Sequence, residues 1–259
     1  MKKFNFIRCS ICIICIAAMF ITNGVDAYAV SGPCTTDNGF SEFDIVYAGL
    51  YPQSEVIGSA LTDEIVNANY NEEGIATVND NKIARIERLN TASGTYGYYL
   101  FEPIEWRVLQ VMGGIVTLQA TKGLDCQIYS LESGIAFNDS ELCKWLNSSF
   151  SSIAFQGNAG DGLCNISDSN EDKVTILSSA EACNSTYGLS TTSARSLYLT
   201  EFAEAQGALA GHITGGKKAA YWTKTANTNG KVDCINYLGN IYQKEVQSEN
   251  VSVVPVIKM

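Results

Sequence analysis

Residues 98–111 are the clearest extended run in this chain, and they lead through Gly113-Gly114 into Ile115-Val116-Thr117-Leu118. Apolar, β-branched runs on either side of a Gly-Gly pair read as a hairpin, because both glycines accept the positive φ that a tight turn needs. This hairpin is expected to lie in the core sheet. A second hairpin is expected where Ala220-Tyr221-Trp222-Thr223-Lys224 runs to Asn229-Gly230 and residues 232–238 return. Residues 83–89 read as a further strand. Residues 251–257 read as the closing one, with Pro255 marking a sheet edge or a strand end, since proline cannot donate to a ladder.

Helical signals are fewer and shorter. Leu142, Trp145, Leu146 and Phe150 recur three or four apart, so residues 141–155 read as a helix with one apolar face, capped by Asp139 or Ser140. Trp145 and Trp106 both fall in apolar motifs and are expected in the core. Ser178-Ser179-Ala180-Glu181 has the form of a capping box, which places a short helix after a strand at residues 173–177. Residues 200–209 read as a third helix. The pattern is α+β, in one domain spanning residues 43–259, preceded by a loose polar segment at 30–42. About 230 residues can bury one good core.

The start of the chain bears on how every cysteine is read. Lys2 and Lys3 precede a largely apolar stretch to Ile21, and Ala27-Tyr28-Ala29 has the small-x-small form that signal peptidase accepts. Residues 1–29 therefore read as a signal peptide, with an exported mature chain from Val30. The apolar run after Arg8 is short for a membrane span, which needs about 20 residues. No second such run and no sorting signal follow, so the mature protein is expected to be released or held at the surface by contacts, with no stable membrane insertion.

Losing Lys2, Lys3, Arg8 and Asp26 with the leader leaves 14 basic and 26 acidic side chains. That negative potential repels nucleic acid and anionic lipid, so neither is expected as a partner. Cys9, Cys12 and Cys15 leave with the leader. Cys34, Cys126, Cys143, Cys164, Cys183 and Cys234 remain. An even number in an oxidising compartment suggests up to three disulfides, for which 15 connectivities exist. Metal ligation competes poorly, with no C-x-x-C pair and a single histidine, and buried free thiols are the other alternative. No cofactor or metal site is assigned.

Catalytic patterns are thin. His212 is the only histidine, in an expected loop between Gly211 and Gly215-Gly216, and any nucleophile–histidine arrangement would have to use it. Glu102 and Glu105 invite a paired-carboxylate reading, but three residues apart on a strand they point to opposite faces. One is expected to pair with Arg107 or Arg195, and the other to be solvated. Asn158-Ala159-Gly160-Asp161 and residues 168–172 offer oxygen ligands without EF-hand spacing and read as solvated acidic loops. The N-x-S/T triplets at Asn138, Asn147, Asn165, Asn184 and Asn250 follow from an Asn- and Ser-rich composition.

Several of these pieces occur together in one order. Tyr47-Ala48-Gly49-Leu50-Tyr51-Pro52-Gln53-Ser54-Glu55-Val56 opens it, then Phe101-Glu102-Pro103-Ile104-Glu105-Trp106-Arg107-Val108-Leu109, Leu124-Asp125-Cys126 and Tyr129. Leu142, Lys144-Trp145-Leu146-Asn147, Phe150 and Ala154-Phe155 follow, then Asp172-Lys173-Val174, Leu177-Ser178 and Glu181-Ala182. Ser193-Ala194-Arg195, Thr200, Phe202-Ala203 and Ala205-Gln206-Gly207-Ala208 complete it. From about residue 43 onward the chain resembles the bacterial domain-of-unknown-function family 6273, common in secreted proteins of gut Firmicutes. It departs from that pattern in its last third, where two customary arginines are Lys224 and Val254. Lysine does not reproduce a planar bidentate guanidinium, and valine still less, so no role resting on those arginines carries over.

The tryptophan-bearing strand, the hairpin and the final apolar strand also resemble the closing sheet of C-type-lectin-like and formylglycine-generating folds. The resemblance implies short helices packed on small mixed or antiparallel sheets. Formylglycine-type chemistry would need a reactive cysteine pair near the end, where Cys234 stands alone. Such folds present ligands on the final sheet and its loops, which here carry Tyr221, Trp222, Lys224, Asn227, Asn229, Asn240 and Tyr242. A non-enzymatic binding module for glycan or surface protein is the reading, with a hydrolase or other enzyme on the same fold, or a structural envelope domain, as alternatives.

Overall fold

The computed structural model describes residues 39–88, 93–167, 171–213, 216–227 and 229–259. The leader, Cys34 and residues 168–170 of the second acidic loop lie outside the described residues. Three sheets and a few short helices make an α+β fold in which antiparallel pairing dominates.

The largest sheet has seven strands. Along it run Ile75–Val78, Asn81–Glu87, Tyr96–Met112, Ile115–Ala120, Val256–Lys258 and Val174–Thr175, and Ile45–Glu55 pairs with Tyr96–Met112 from its other side. The expected hairpin forms as read: Met112 faces Ile115, and Gly113 and Gly114 hold φ of 60° and 81°. A register shift between Val108 and Gln110 turns both Val108 and Leu109 into the core, each 0 % exposed. A second tight turn was not anticipated. Asn79 and Asp80, at φ of 49° and 63°, join Ile75–Val78 to Asn81–Glu87, with Val78 facing Asn81. The signal was present, because asparagine and aspartate tolerate the left-handed region better than other non-glycine residues.

A five-stranded sheet runs Ile241–Glu245, Lys231–Ile235, Tyr221–Ala226, Ser252–Val253 and Asp125–Cys126. It contains the Asn229-Gly230 hairpin, with Gly230 at φ of 78°. A four-stranded sheet joins Ala210–Ile213, Gly216–Ala219, Tyr198–Leu199 and Lys122–Gly123. The closing strand is two strands. Ser252–Val253 belongs to the five-stranded sheet and Val256–Lys258 to the seven-stranded one, and Pro255 sits at the crossing. Proline interrupts the donor ladder there, while its carbonyl still accepts from Ala120 N at 2.9 Å.

The helix read at residues 141–155 is continuous from Glu141 to Ala154, but Leu146–Phe150 is wound as a π-helix. Ser140 caps it, its Oγ accepting from Cys143 N at 3.1 Å. Leu142, Leu146 and Phe150 are 0 % exposed, whereas Trp145 is only half-buried, with its ring 5.5 Å from Phe150. Trp106, by contrast, is fully buried. Its Nε1 donates to Ala48 O at 2.8 Å and its ring stacks on Phe155 at 6.2 Å. Gly49 is needed beside this contact. At φ of 71°, a Cβ would stand 2.7 Å from Ala154 O and 2.8 Å from the Phe155 ring. The other two helices are shorter than read: Glu201–Ala205, capped by Thr200, and one 3-10 turn at Glu181–Cys183.

Candidate functional site

One face of the seven-stranded sheet carries a cleft of about 600 Å³. Residues directly opposite across a ladder share a face, and the register therefore defines its floor. Gln110, Thr117 and Lys258 form one row, Met112 and Ile115 a second, and Val256 and Thr175 a third. Their neighbours Val116, Leu118, Ile257 and Val174 point into the core at 0–3 % exposure. Phe137 and Asn138, Ile166, Tyr187, and Lys224 with Glu181 wall this floor.

The capping box builds one wall. Ser178 N and Oγ donate to Glu181 Oε2 at 2.7 and 2.8 Å, and Glu181 N donates back to Ser178 Oγ at 3.2 Å. The Tyr221–Ala226 strand is stitched to this turn. Lys224 N donates to Leu177 O at 2.9 Å, and Thr225 Oγ1 accepts from Ser179 N and Oγ at 2.9 and 3.0 Å. Lys224 Nζ thereby reaches Glu181 Oε2 at 3.1 Å. Burial alone would raise the Glu181 pKa, but the Ser178 hydrogen bonds and the Lys224 charge outweigh it and hold the carboxyl below its ordinary value. Tyr187 is pushed up by its burial and by the nearby Glu181 charge. Lys258 Nζ donates to Ile166 O at 2.7 Å, fixing the wall opposite.

Asp172 also lines the cleft, and its Oδ2 accepts from Cys143 Sγ at 3.7 Å. Burial, reinforced by Asp172, lifts the Cys143 thiol to about 11. Cys126, Cys143, Cys183 and Cys234 are free thiols here, and the first, second and fourth are buried.

Of the residues expected on the final sheet, Lys224 alone lines the cleft. Tyr221 and Trp222 do not alternate between core and solvent. They are 3 % and 1 % exposed, because their strand is covered on both sides. Tyr221 OH donates to Arg195 O at 2.9 Å, and Trp222 Nε1 to Gln127 O at 2.8 Å, so both polar tips are spent internally. Asn227 Nδ2 donates to Asp233 Oδ1 on the returning strand at 2.7 Å, and Asn229 Oδ1 accepts from Lys231 N at 3.2 Å. Asn240 is exposed on the turn at the other end of the Lys231–Ile235 strand, about 16 Å away for five residues of strand. Tyr242 is half-buried, in register with Cys234 and Trp222. These seven residues do not form one site.

The carboxylates of the signature strand also differ from expectation. Glu102 Oε2 accepts from Ser54 N and Oγ at 3.1 and 2.8 Å, and Glu105 accepts from Tyr47 OH at 3.0 Å and Thr121 Oγ1 at 2.8 Å. Among the described residues neither forms an ion pair with an arginine. Arg107 instead lies over the Phe43 ring at 4.8 Å. Arg195 spans two carbonyls, donating from Nε to Gly239 O at 2.7 Å and from Nη1 to Leu189 O at 2.8 Å. His212 is exposed on the strand Ala210–Ile213, facing Lys217. Among the described residues, no three carboxylate, thiol or imidazole groups converge to hold a metal ion, and no helix is long and apolar enough to cross a membrane.

Comparison with family models, with curated proteins and with solved structures gave no match to this chain.

Proposed function

We propose that this chain is an exported, surface-associated binding module of the family-6273 kind, with C-type-lectin-like architecture, and that its cleft holds a glycan or a segment of a surface protein. One observation carries the reading: one face of the largest sheet is closed by an aromatic side chain and an ion pair into a concavity within the range of small-ligand sites. The residues gathered there bind and orient. Glu181 is held ionised, so it is a poor proton donor near neutrality. His212, the chain's single imidazole, stands on a different sheet.

A glycan array together with capture from cell-wall fractions tests this, using wild type, Tyr187→Ala and, as a control away from the cleft, Tyr242→Ala. Retention by wild type and Tyr242→Ala, with loss in Tyr187→Ala at an unchanged melting temperature, supports it. Equal retention by all three would place the ligand elsewhere, and no retention by wild type on either format would end the binding reading.

A further inference from the structure

The hydrogen bonding of the cleft indicates the charge of what enters it. Glu181 Oε2 accepts from Ser178 N, Ser178 Oγ and Lys224 Nζ. If Lys224 turned to another anion, the carboxylate would keep both Ser178 bonds and would not be left bare. An ammonium carries three donors. Across the floor, Lys258 Nζ donates to the neutral carbonyl of Ile166, and among the described residues it meets no carboxylate. Lys258 is thus anchored on a neutral group, while Lys224 is paired with a carboxylate that has two further donors of its own in Ser178. Asp172 adds a negative charge to the same cleft, and its Oδ2 accepts from the buried Cys143 thiol.

The edge of the floor bears on the class of ligand. An extended peptide adding to a sheet needs an open strand edge. Val174–Thr175 is the last strand on this side, and Asn147 already occupies it. Its Oδ1 accepts from Lys173 N at 2.8 Å and Val174 N at 2.9 Å, and its Nδ2 donates to Val174 O at 2.9 Å. What remains open is a concavity with the Tyr187 ring, the amides of Gln110 and Asn138, and two ammoniums. Amides both donate and accept, as hydroxyl groups require, and an aromatic ring packs on the apolar face of a sugar.

Resting on the binding reading above, we propose that the ligand is an acidic oligosaccharide whose ring carboxylates meet Lys224 and Lys258 while a sugar ring packs on Tyr187. The chain's net charge of −10 does not forbid this. Distant charges are screened within about 8 Å at physiological ionic strength, whereas half-buried ammoniums act at contact.

Titration calorimetry with a galacturonic acid oligomer and its methyl ester separates charge from shape, using wild type, Lys224→Met, Lys258→Met and Tyr187→Ala. Wild type should bind the acid about tenfold more tightly than the ester, as for one lost ion contact. Each lysine variant should bring the acid down toward the ester, and Tyr187→Ala should weaken both. Equal affinity for acid and ester, with both weakened in Tyr187→Ala, would overturn the carboxylate assignment and leave the cleft as the site. Binding that none of the variants alters would overturn both, and a wild type that binds neither oligomer would overturn the acidic-oligosaccharide proposal.

Discussion

Asn147 takes the place of a strand beside Val174. Its side-chain amide accepts from Val174 N and donates to Val174 O, both at 2.9 Å, as a neighbouring backbone would. The same Nδ2 donates to Cys143 O at 3.0 Å, in the turn where the helix passes into its π-wound stretch. One residue thus finishes a sheet edge and a helix irregularity together, and it shields an edge that would otherwise be a template for pairing.

Asn147→Ala should therefore leave Lys173 N, Val174 N and Val174 O without their partner. The expected cost is about 1–3 kcal/mol, read as a lower urea midpoint, with faster amide exchange concentrated at Val174. Unchanged exchange there would show that the edge does not depend on this side chain.

The two tryptophans of the apolar motifs should separate clearly. Trp106→Ala removes a 0 % exposed ring and its bond to Ala48 O, and should cost about 3–5 kcal/mol. Trp145→Ala should cost clearly less, because that ring is only half-buried. Urea melts of both variants beside wild type decide, and equal losses would contradict the placement of Trp145.

Asp125 gives stability an unusual pH dependence. Burial raises its pKa from 3.8 to about 6, although Tyr51 OH at 2.5 Å, Gln127 Nε2 at 3.0 Å and Cys126 N at 2.6 Å donate to it and act the other way. A carboxyl raised on folding favours the folded state below its unfolded pKa, and that contribution is lost as pH rises between about 4 and 6. Asp125→Asn should remove this decline. Unfolding midpoints measured across that window should fall in wild type and stay flatter in the variant, and parallel curves would rule Asp125 out as the source.

Thiol labelling should follow burial. Burial, with Asp125 and Glu249 nearby, pushes Cys126 up to about 12, and burial likewise raises Cys143 and Cys234. An iodoacetamide pulse on native protein should spare these three and modify them after unfolding in urea. An intact mass short of the corresponding hydrogens would instead reveal the bridges that the even cysteine count suggests.

Local chemistry was legible in the sequence and long-range convergence was not. Gly113-Gly114, Asn229-Gly230 and the Ser178–Glu181 capping box each act within a few residues, and each forms as read. The same capping box also supplies a wall of the cleft, a role its local pattern does not announce. Tyr187, Lys258 and Asn138 come from segments far apart in the chain, and only strand order brings them together. Trp145 packs against the core without being enclosed by it, a degree of burial that helical spacing alone does not specify. Tyr221 and Trp222 were expected to present their rings on the final sheet, but that strand has no wet face and both rings are enclosed.

The crossing at Pro255 has a further result. With Ser252–Val253 laid into one sheet and Val256–Lys258 into the next, a few consecutive residues work as a seam between two layers. Opening either layer pulls on the other, so the pair should melt in one calorimetric transition, and cutting the backbone at this seam should loosen both halves at once.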